Sequence, residues 1–442
     1  MNMHRKTTSV MVMAAAAAIA LSGCTGGGGG GGEAVDVTAE PEYSGTLSVL
    51  TKFAGEPLEP YFLDVAEEYQ KQHPDVEFEF IQETDQSVKD KTKTLTASGA
   101  LPDIYFTWAG TWAQNFVEGG LAADLSEVIA PGTEWGGQFG EASLDAFKFD
   151  DKYFGVPLYN NGKFMGYNVE AFEQAGVEVP TTFEELIDTC GPLREAGYEP
   201  IAFGNKDGWP ALHYLQQLFG YNVPSDTLHA DFDPATAEWS DPGYVESLEQ
   251  FDQLVTECTD SGRGTNGVLY TTAQEALSGG RAAMYYQEIL EFDTVTAEGA
   301  ALTPENFGIF KLPVPEGAKG DTDAIQGSPE GYLINAKSPR APLAVDFMKF
   351  ATDQANAQTL SSPPYGQPST VIGAVTEETS SAAVFSGIEQ VNDASQLVVW
   401  LDTVTVPEVA DAWLAGGEAL ISGDTSPDEI LASVQNANSM AQ

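Results

Sequence analysis

Positive charge is what this sequence most lacks. In 442 residues, 19 Lys and Arg stand against 66 Asp and Glu, for a formal net charge of −47. Gripping the phosphates of DNA or RNA needs a basic surface, which argues against a nucleic-acid partner. An anionic membrane repels such a surface too, and anionic ligands are disfavoured. Histidine is almost as scarce, with four in all. His73, His213 and His229 are scattered, without the spacing a zinc site needs. The chain has no G-x-S-x-G, H-E-x-x-H or C-x-x-C, and Asp321 and Asp323 lack the rest of an EF-hand loop. Acidic pairs are too common to single out a catalytic one, and sequence does not place them in space. No metal, cofactor or enzymatic activity is expected.

Long apolar runs are missing beyond the N-terminus. Val10 to Leu21 is almost purely apolar, but a bilayer span takes ~20 residues. It follows Arg5 and Lys6 and leads into Leu21-Ser22-Gly23-Cys24. Basic residues, an apolar stretch and small residues before a Cys form a secretory signal over 1–23 with a lipoprotein cleavage site. Cys24 would then carry the lipid. Gly26 to Gly32 follow without a side chain, and the chain stays polar to about Tyr43. Residues 24–43 read as a lipidated flexible tether with a reach of roughly 25 Å by random-coil scaling. The glycines match G-x-G-x-x-G only trivially, with no strand before them. The expectation is an extracytoplasmic protein, lipid-anchored to the cell membrane and monomeric.

Cysteine is rare, at three residues. After lipidation Cys190 and Cys258 remain. A lone pair in an oxidising compartment reads as a disulfide. Both also fall on apolar helical stripes, which leaves two buried thiols as the alternative.

What is present is an alternation of strands and helices. Leu47, Val49 and Thr51 alternate as a strand. Leu58, Tyr61, Phe62, Val65 and Tyr69 recur at helical spacing before Pro74. Val76, Phe78 and Phe80 alternate again, a polar helix covers about 88–97, and Ile104 to Phe106 is a short buried strand. Thr182 and Glu185 make a capping box ahead of the stripe Phe183, Leu186, Ile187, Cys190 and Leu193. Further strands are expected at Ile201–Phe203, Ala282–Tyr286 and Tyr332–Ile334. Further helices carry Val245 to Cys258 and Val345 to Phe350, the latter capped by Ser338-Pro339. This rhythm predicts an α/β fold with a parallel sheet covered by helices.

Several segments, in order, carry a family likeness. Leu101-Pro102-Asp103-Ile104 through Trp108-Ala109-Gly110 is followed by Gly119-Gly120-Leu121 and Asp124-Leu125. Lys152-Tyr153-Phe154-Gly155-Val156-Pro157 precedes Gly166-Tyr167-Asn168. Then come Pro180-Thr181-Thr182-Phe183-Glu184-Glu185-Leu186, Ala276 to Met284, and Gly331 to Thr352. The ordered set resembles the family 1 extracellular solute-binding proteins, the maltose-binding-protein type. The resemblance implies a two-lobed periplasmic-binding-protein-like fold with a hinge of three crossings and a central ligand cleft. Lobe 1 would take 44–157 and 314–362, and lobe 2 would take 158–313 and 363–442. It also implies capture of a small solute by hinge closure and delivery to an ABC transporter permease.

A sugar site needs aromatic platforms and planar polar side chains. A parallel sheet presents them just after strand ends. Those positions offer Trp108, Gly110, Thr111 and Trp112 after one strand, and Glu83 with Asp85 after another. Tyr159, Asn160 and Asn161 follow the first crossing, Asn205 and Trp209 another strand, and Gln287 and Glu288 a further one. Of that last adjacent pair, at most one side chain can face the cleft. Tyr332 and Tyr365 lie near the late crossings. Trp135, Trp239, Trp400 and Trp413 read as packing residues. A carbohydrate, most simply an oligosaccharide, is the expected ligand. A polyol, a glycerophosphodiester or a peptide is the alternative, and a surface glycoside-acting enzyme a more distant one. Trp108-Ala109-Gly110-Thr111 departs from the maltose-binding pattern by offering no Asp or Arg at this turn.

Overall fold

Strand and helix follow the periodicity of the residues. The computed structural model describes residues 35–55 and 57–442. The expected signal segment 1–23, Cys24 and the expected tether up to residue 34 fall outside the described residues. The last stretch assigned to the tether is packed: Val37 is buried in the first apolar cluster, and Tyr43 stacks on His73 at 3.9 Å.

The first strands are β1 (Gly45–Thr51), β2 (Val76–Gln82) and β3 (Ile104–Trp108). Between them, α1 (Glu59–Gln72) buries Tyr61, Phe62, Val65, Ala66 and Tyr69 along one stripe. α2 (Asp85–Ser98) starts at a capping box between Thr84 and Ser87 and stops at Gly99, whose φ of 66° is left-handed. α3 (Thr111–Glu118) follows β3 directly. A small hairpin, β4 (Lys148–Phe149) and β5 (Lys152–Tyr153), leads into the long β6 (Gly155–Asn168). The remaining strands are β7 (Glu199–Ala202), β8 (Ala282–Glu288), β9 (Phe307–Phe310), β10 (Ile325–Ile334) and β11 (Leu397–Val398).

Among the described residues the main sheet runs in the order β2-β1-β3-β10-β6-β8-β7, with β9 on β6 and β11 on β10. It is mixed, which corrects the expected parallel sheet. β1 pairs in parallel with β2 and β3, and β7 with β8, while β10 and β6 run antiparallel to their main-path neighbours. The local β-α-β rhythm gives the parallel pairs; the two returning strands are long-range and leave no local signal.

β6 and β10 pass through both lobes. The start of β6 pairs with the end of β10 (Gly155 opposite Leu333), and its later residues pair with β8 and β9. Tyr159 and Leu333 pack in the first apolar cluster, whereas Phe164, Met165 and Ile325 pack in those of the second lobe. The first crossing therefore lies within β6, a few residues past the expected 157/158 boundary. The second lies within β10 and not at 313/314, because Leu312 and Ala324 belong to the second lobe. The third falls between Ala374, packed with the first lobe, and Val384, packed with the second, and not at 362/363. Proline and glycine mark turns in these stretches, but the first two crossings are continuous strands with a polar or small-residue middle, Asn160 to Lys163 in β6 and Gln326 to Glu330 in β10, and only the third is a loop.

In the second lobe, Thr182 and Glu185 cap the helix Phe183–Glu195 reciprocally. Cys190 on that helix is bonded to Cys258 at the end of the helix Pro242–Cys258, closing a separation of 68 residues. The helix expected to be capped by Ser338-Pro339 begins at Ala341. Ser338 instead donates to Asp103 and accepts from the Arg340 amide. No helix among the described residues is long and apolar enough to cross a membrane.

Candidate ligand-binding site

The sheet aligns the centre of the cleft. Trp108 of β3, Glu330 of β10 and Tyr159 of β6 are paired in register across three strands, and register neighbours share a face. The Tyr159 hydroxyl donates to Glu330 at 2.8 Å. The register slips beside Glu330, between Glu330 and Gly331, and such irregularities re-aim side chains near sites. Lys52, just past β1, reaches Glu330 at 2.6 Å and Asp85 at 2.9 Å. Asp85 opens α2. Lys89, one turn later on the same helix face, lies 2.5 Å from Asp402.

The second lobe supplies the opposite wall. Lys163 and Glu288 are register partners on β6 and β8, 3.9 Å apart. Asn161 donates to Glu288 and, at 3.4 Å, to Glu330. Trp209 and His213, four residues apart at the start of the helix Trp209–Asn222, share a face. The His213 ring is 4.8 Å from Trp209 and 4.7 Å from Trp400. The short helix Leu401–Val404 brings Asp402 beside them and packs against the helices Trp209–Asn222 and Pro407–Ser422.

These groups enclose a cavity of about 20 Å³ bounded by Trp108, Asp85 and Lys89 of the first lobe, Trp209, His213, Glu288 and Asp402 of the second, and Glu330 and Trp400 between them. That is room for about one water, so the lobes stand closed on each other. A groove of about 410 Å³ adjoins it, sharing Lys89, Asp402 and Thr403 and lined further by Trp112 and Phe116.

Charge in the cleft is buried but matched. Burial opposes the Lys52 charge, yet Asp85 and Glu330 hold its pKa well above the usual lysine value. Burial likewise opposes Asp85, but Lys52 and Lys89 keep its pKa low. For Lys163 burial wins and lowers the pKa despite Glu288. Burial, helped by the three lysines, pushes His213 well below its ordinary value and leaves the ring neutral. Burial raises Glu330, and Glu288 and Asp85 add to it against the pull of Lys52. Behind the cleft, Glu291 is pushed up to about 7, first by burial and then by Glu288, against Lys163.

Several polar atoms here have no partner. The indole nitrogens of Trp209 and Trp400 and Nδ1 of His213 are buried without a hydrogen bond. Each such group costs roughly 1–3 kcal/mol if left without a partner.

The sequence-derived candidates divide accordingly. Trp108, Trp209 and Glu288 line the cavity, and Trp112 lines the groove. Tyr159 supports the site through Glu330. Asn160 turns away and accepts from Ser143, because alternate strand residues face opposite sides; Asn161 takes the inward place. The same alternation turns Gln287 toward Gly166, where a Cβ would lie 2.0 Å from its Nε2. Asn205 spends its amide on Ala211 and Asn266. Glu83 accepts from Ser87 and pairs with Lys91 outside the cavity. Gly110 and Thr111 meet the second lobe directly: Thr111 donates to the Val404 carbonyl, and a Cβ on Gly110 would lie 3.2 Å from the Thr403 carbonyl oxygen. Tyr332 lies in the first-lobe core with its hydroxyl on Thr51, and Tyr365 packs on Tyr61 with its hydroxyl on Asp64.

Sequence reasoning missed Lys52, Lys89, Lys163, His213, Glu330, Trp400 and Asp402. Trp400 packs in the first apolar cluster, as expected, and its ring also borders the cavity. One signal was available: Glu330 is the one charged residue in β10, and a charge buried in a strand is placed for a partner.

A two-lobed α/β protein with an aromatic and charged cleft at its hinge is a binding protein built to enclose a small solute. Residues 55–358 match the family model of the bacterial extracellular solute-binding proteins, and the chain belongs to that family. It is 24% identical over 274 residues to a Brucella abortus protein named only as a binding protein, covering 60% of this chain and 64% of that one. The maltotriose-binding protein of Pyrococcus abyssi is 26% identical over 258 residues, covering 57% of this chain and 50% of that one. The chain thus spans less than two thirds of the length of these relatives. A solved structure from work on xylan utilization by Caldanaerobius polysaccharolyticus superposes with a TM-score of 0.82 at 23% identity, covering 88% of this chain and 99% of that one.

Proposed function

We propose that this protein is the substrate-capturing component of an ABC importer. It closes on a carbohydrate, an oligosaccharide, and hands it to a membrane permease. A lipid on Cys24 holds it outside the cell membrane, and it binds without turnover. The observation that carries the ligand class is the pairing of Trp108 and Trp209 on opposite walls of one cavity that also holds Asp85, Glu288, Glu330 and Lys89. Indole faces stack on the C–H faces of sugar rings, and carboxylates and ammonium groups accept from and donate to the hydroxyls. The near balance of charge suits an uncharged ligand. The names of the relatives, one for maltotriose and one from work on xylan, support the same class.

Binding would proceed by parting of the lobes about β6 and β10, entry of the sugar and reclosure. The unpartnered indole N–H groups of Trp209 and Trp400 would then gain acceptors, which makes the closed, loaded form the stable one.

A thermal-shift screen of residues 35–442 against mono- and oligosaccharides, polyols and peptides tests the class. A sugar at 100 times its dissociation constant adds ~2.7 kcal/mol, a shift of a few degrees. Shifts confined to peptides or polyols would remove the carbohydrate and leave the fold.

A further inference from the structure

Three polar side chains of the second lobe converge without reaching one another. Glu288 Oε1 lies 3.9 Å from Lys163 Nζ and 4.0 Å from His213 Nδ1. Both separations are longer than a hydrogen bond. Each side chain is held in place by other contacts. Lys163 is the register partner of Glu288 and rests 3.5 Å from the Tyr286 carbonyl oxygen. Asn161 donates to the other Glu288 oxygen, Oε2. The His213 ring stands between the indoles of Trp209 and Trp400, which fixes the direction of Nδ1. His213 and Glu288 both line the inner cavity.

The chemistry of these groups selects what can join them. Glu288 Oε1 needs a donor, and Lys163 needs an acceptor. His213, kept neutral by burial and by the three lysines, needs an acceptor when its proton is on Nδ1. One oxygen at about 2.8 Å from each of the three would join them. A hydroxyl has the matching set: its proton goes to Glu288 and its two lone pairs to Lys163 and His213. A deoxy carbon offers neither proton nor lone pair. A carboxylate has no proton to give, an ammonium has no lone pair, and an acetamido group carries donor and acceptor on different atoms. The side chains of Lys163, His213 and Glu288 are 3%, 7% and 14% exposed, so bulk solvent is a poor substitute.

We infer that His213, with Glu288 and Lys163, reads one free hydroxyl of the ligand and rejects sugars that carry another group at that carbon. This rests on the carbohydrate reading and adds which functional group decides specificity. His213 is the determining member, because its Nδ1 is buried without another partner while Glu288 and Lys163 also serve each other's charge.

The test is calorimetric titration of residues 35–442 with glucose, galactose, mannose, xylose, maltose and xylobiose, then with monodeoxy and acetamido analogues of those that bind. One position should prove critical, with loss of its hydroxyl weakening binding roughly tenfold or more. His213→Phe keeps a ring between the two indoles but has no Nδ1. It should weaken the parent sugar about tenfold and leave the critical analogue within about twofold, so that discrimination falls. His213→Asn, whose amide reaches toward the place of Nδ1, should keep most of the discrimination, which a merely structural role would not predict. Lys163→Met should lower discrimination at the same position, and it tests the site even if His213→Phe fails to fold. Every hydroxyl mattering by less than about threefold, or discrimination unchanged in both His213→Phe and Lys163→Met, overturns the hydroxyl reader but leaves carbohydrate binding standing. No binding of any parent sugar at millimolar concentration overturns both readings.

Discussion

Lys89 on α2 and Asp402 on the helix Leu401–Val404 form an ion pair of 2.5 Å across the mouth of the cleft, one residue from each lobe. Beside them, Thr111 of the first lobe donates to the Val404 carbonyl of the second. These contacts tie the lobes together directly, at the place where a ligand has to enter.

Removing one end of that tie should open the protein. Lys89→Met leaves the Asp402 side chain, 7% exposed, without its counter-charge. The closed form should lose roughly 2 kcal/mol, less than the cost of breaking a fully buried pair, because Lys89 is partly solvated. Small-angle scattering of the unliganded variant should give a larger radius of gyration than wild type. An unchanged radius would show that the pair does not hold the lobes.

The other lysine of the first-lobe wall has a structural task. Lys52 is the shared counter-charge of Asp85 and Glu330, and its side chain is 6% exposed. Lys52→Met should lower unfolding free energy in urea by roughly 3–5 kcal/mol, since two carboxylates are left facing each other. Lys71, paired with Glu67 and Glu68 on the surface of α1, is the control, and Lys71→Met should cost less than about 1 kcal/mol.

Glu291 gives the cleft a pH signature. Its carboxyl has a folded pKa of about 7 against 4.5 for the free side chain. A carboxyl raised on folding keeps its proton in the native state while the unfolded chain releases it. Its stabilising contribution is therefore complete below pH 4.5 and is lost as pH rises through 7. Melting curves across that interval should show the advantage of wild type over Glu291→Gln shrinking as pH rises, and levelling off above it. A difference independent of pH would place the proton elsewhere.

Much of the fold is local and could be read directly. The capping box at Thr182 and Glu185, the stripe of α1 and the alternation in β2 are patterns within a dozen residues. The crossings could not be read this way, because β6 and β10 each stay one extended strand while passing from one core to the next, and only their long-range pairing shows where the lobes part. The site divides along the same line. Trp108 and Trp209 stand at strand and helix boundaries, where sequence marks a turn and an aromatic ring together. Lys89, Glu330 and Asp402 acquire meaning only from partners hundreds of residues away. The choice between Asn160 and Asn161, or Gln287 and Glu288, is one of strand phase, and one residue of slip reverses it.

The central claim is that a sugar is held between Trp108 and Trp209. The most direct measurement is calorimetric titration of the tightest-binding glycan into wild type, Trp108→Ala and Trp209→Ala. The account predicts saturable binding to wild type, with each variant weakened by tenfold or more, a loss of about 1.4 kcal/mol or greater. Wild-type affinity in both variants would contradict it, since the ligand would then lie somewhere other than the cleft these two indoles enclose.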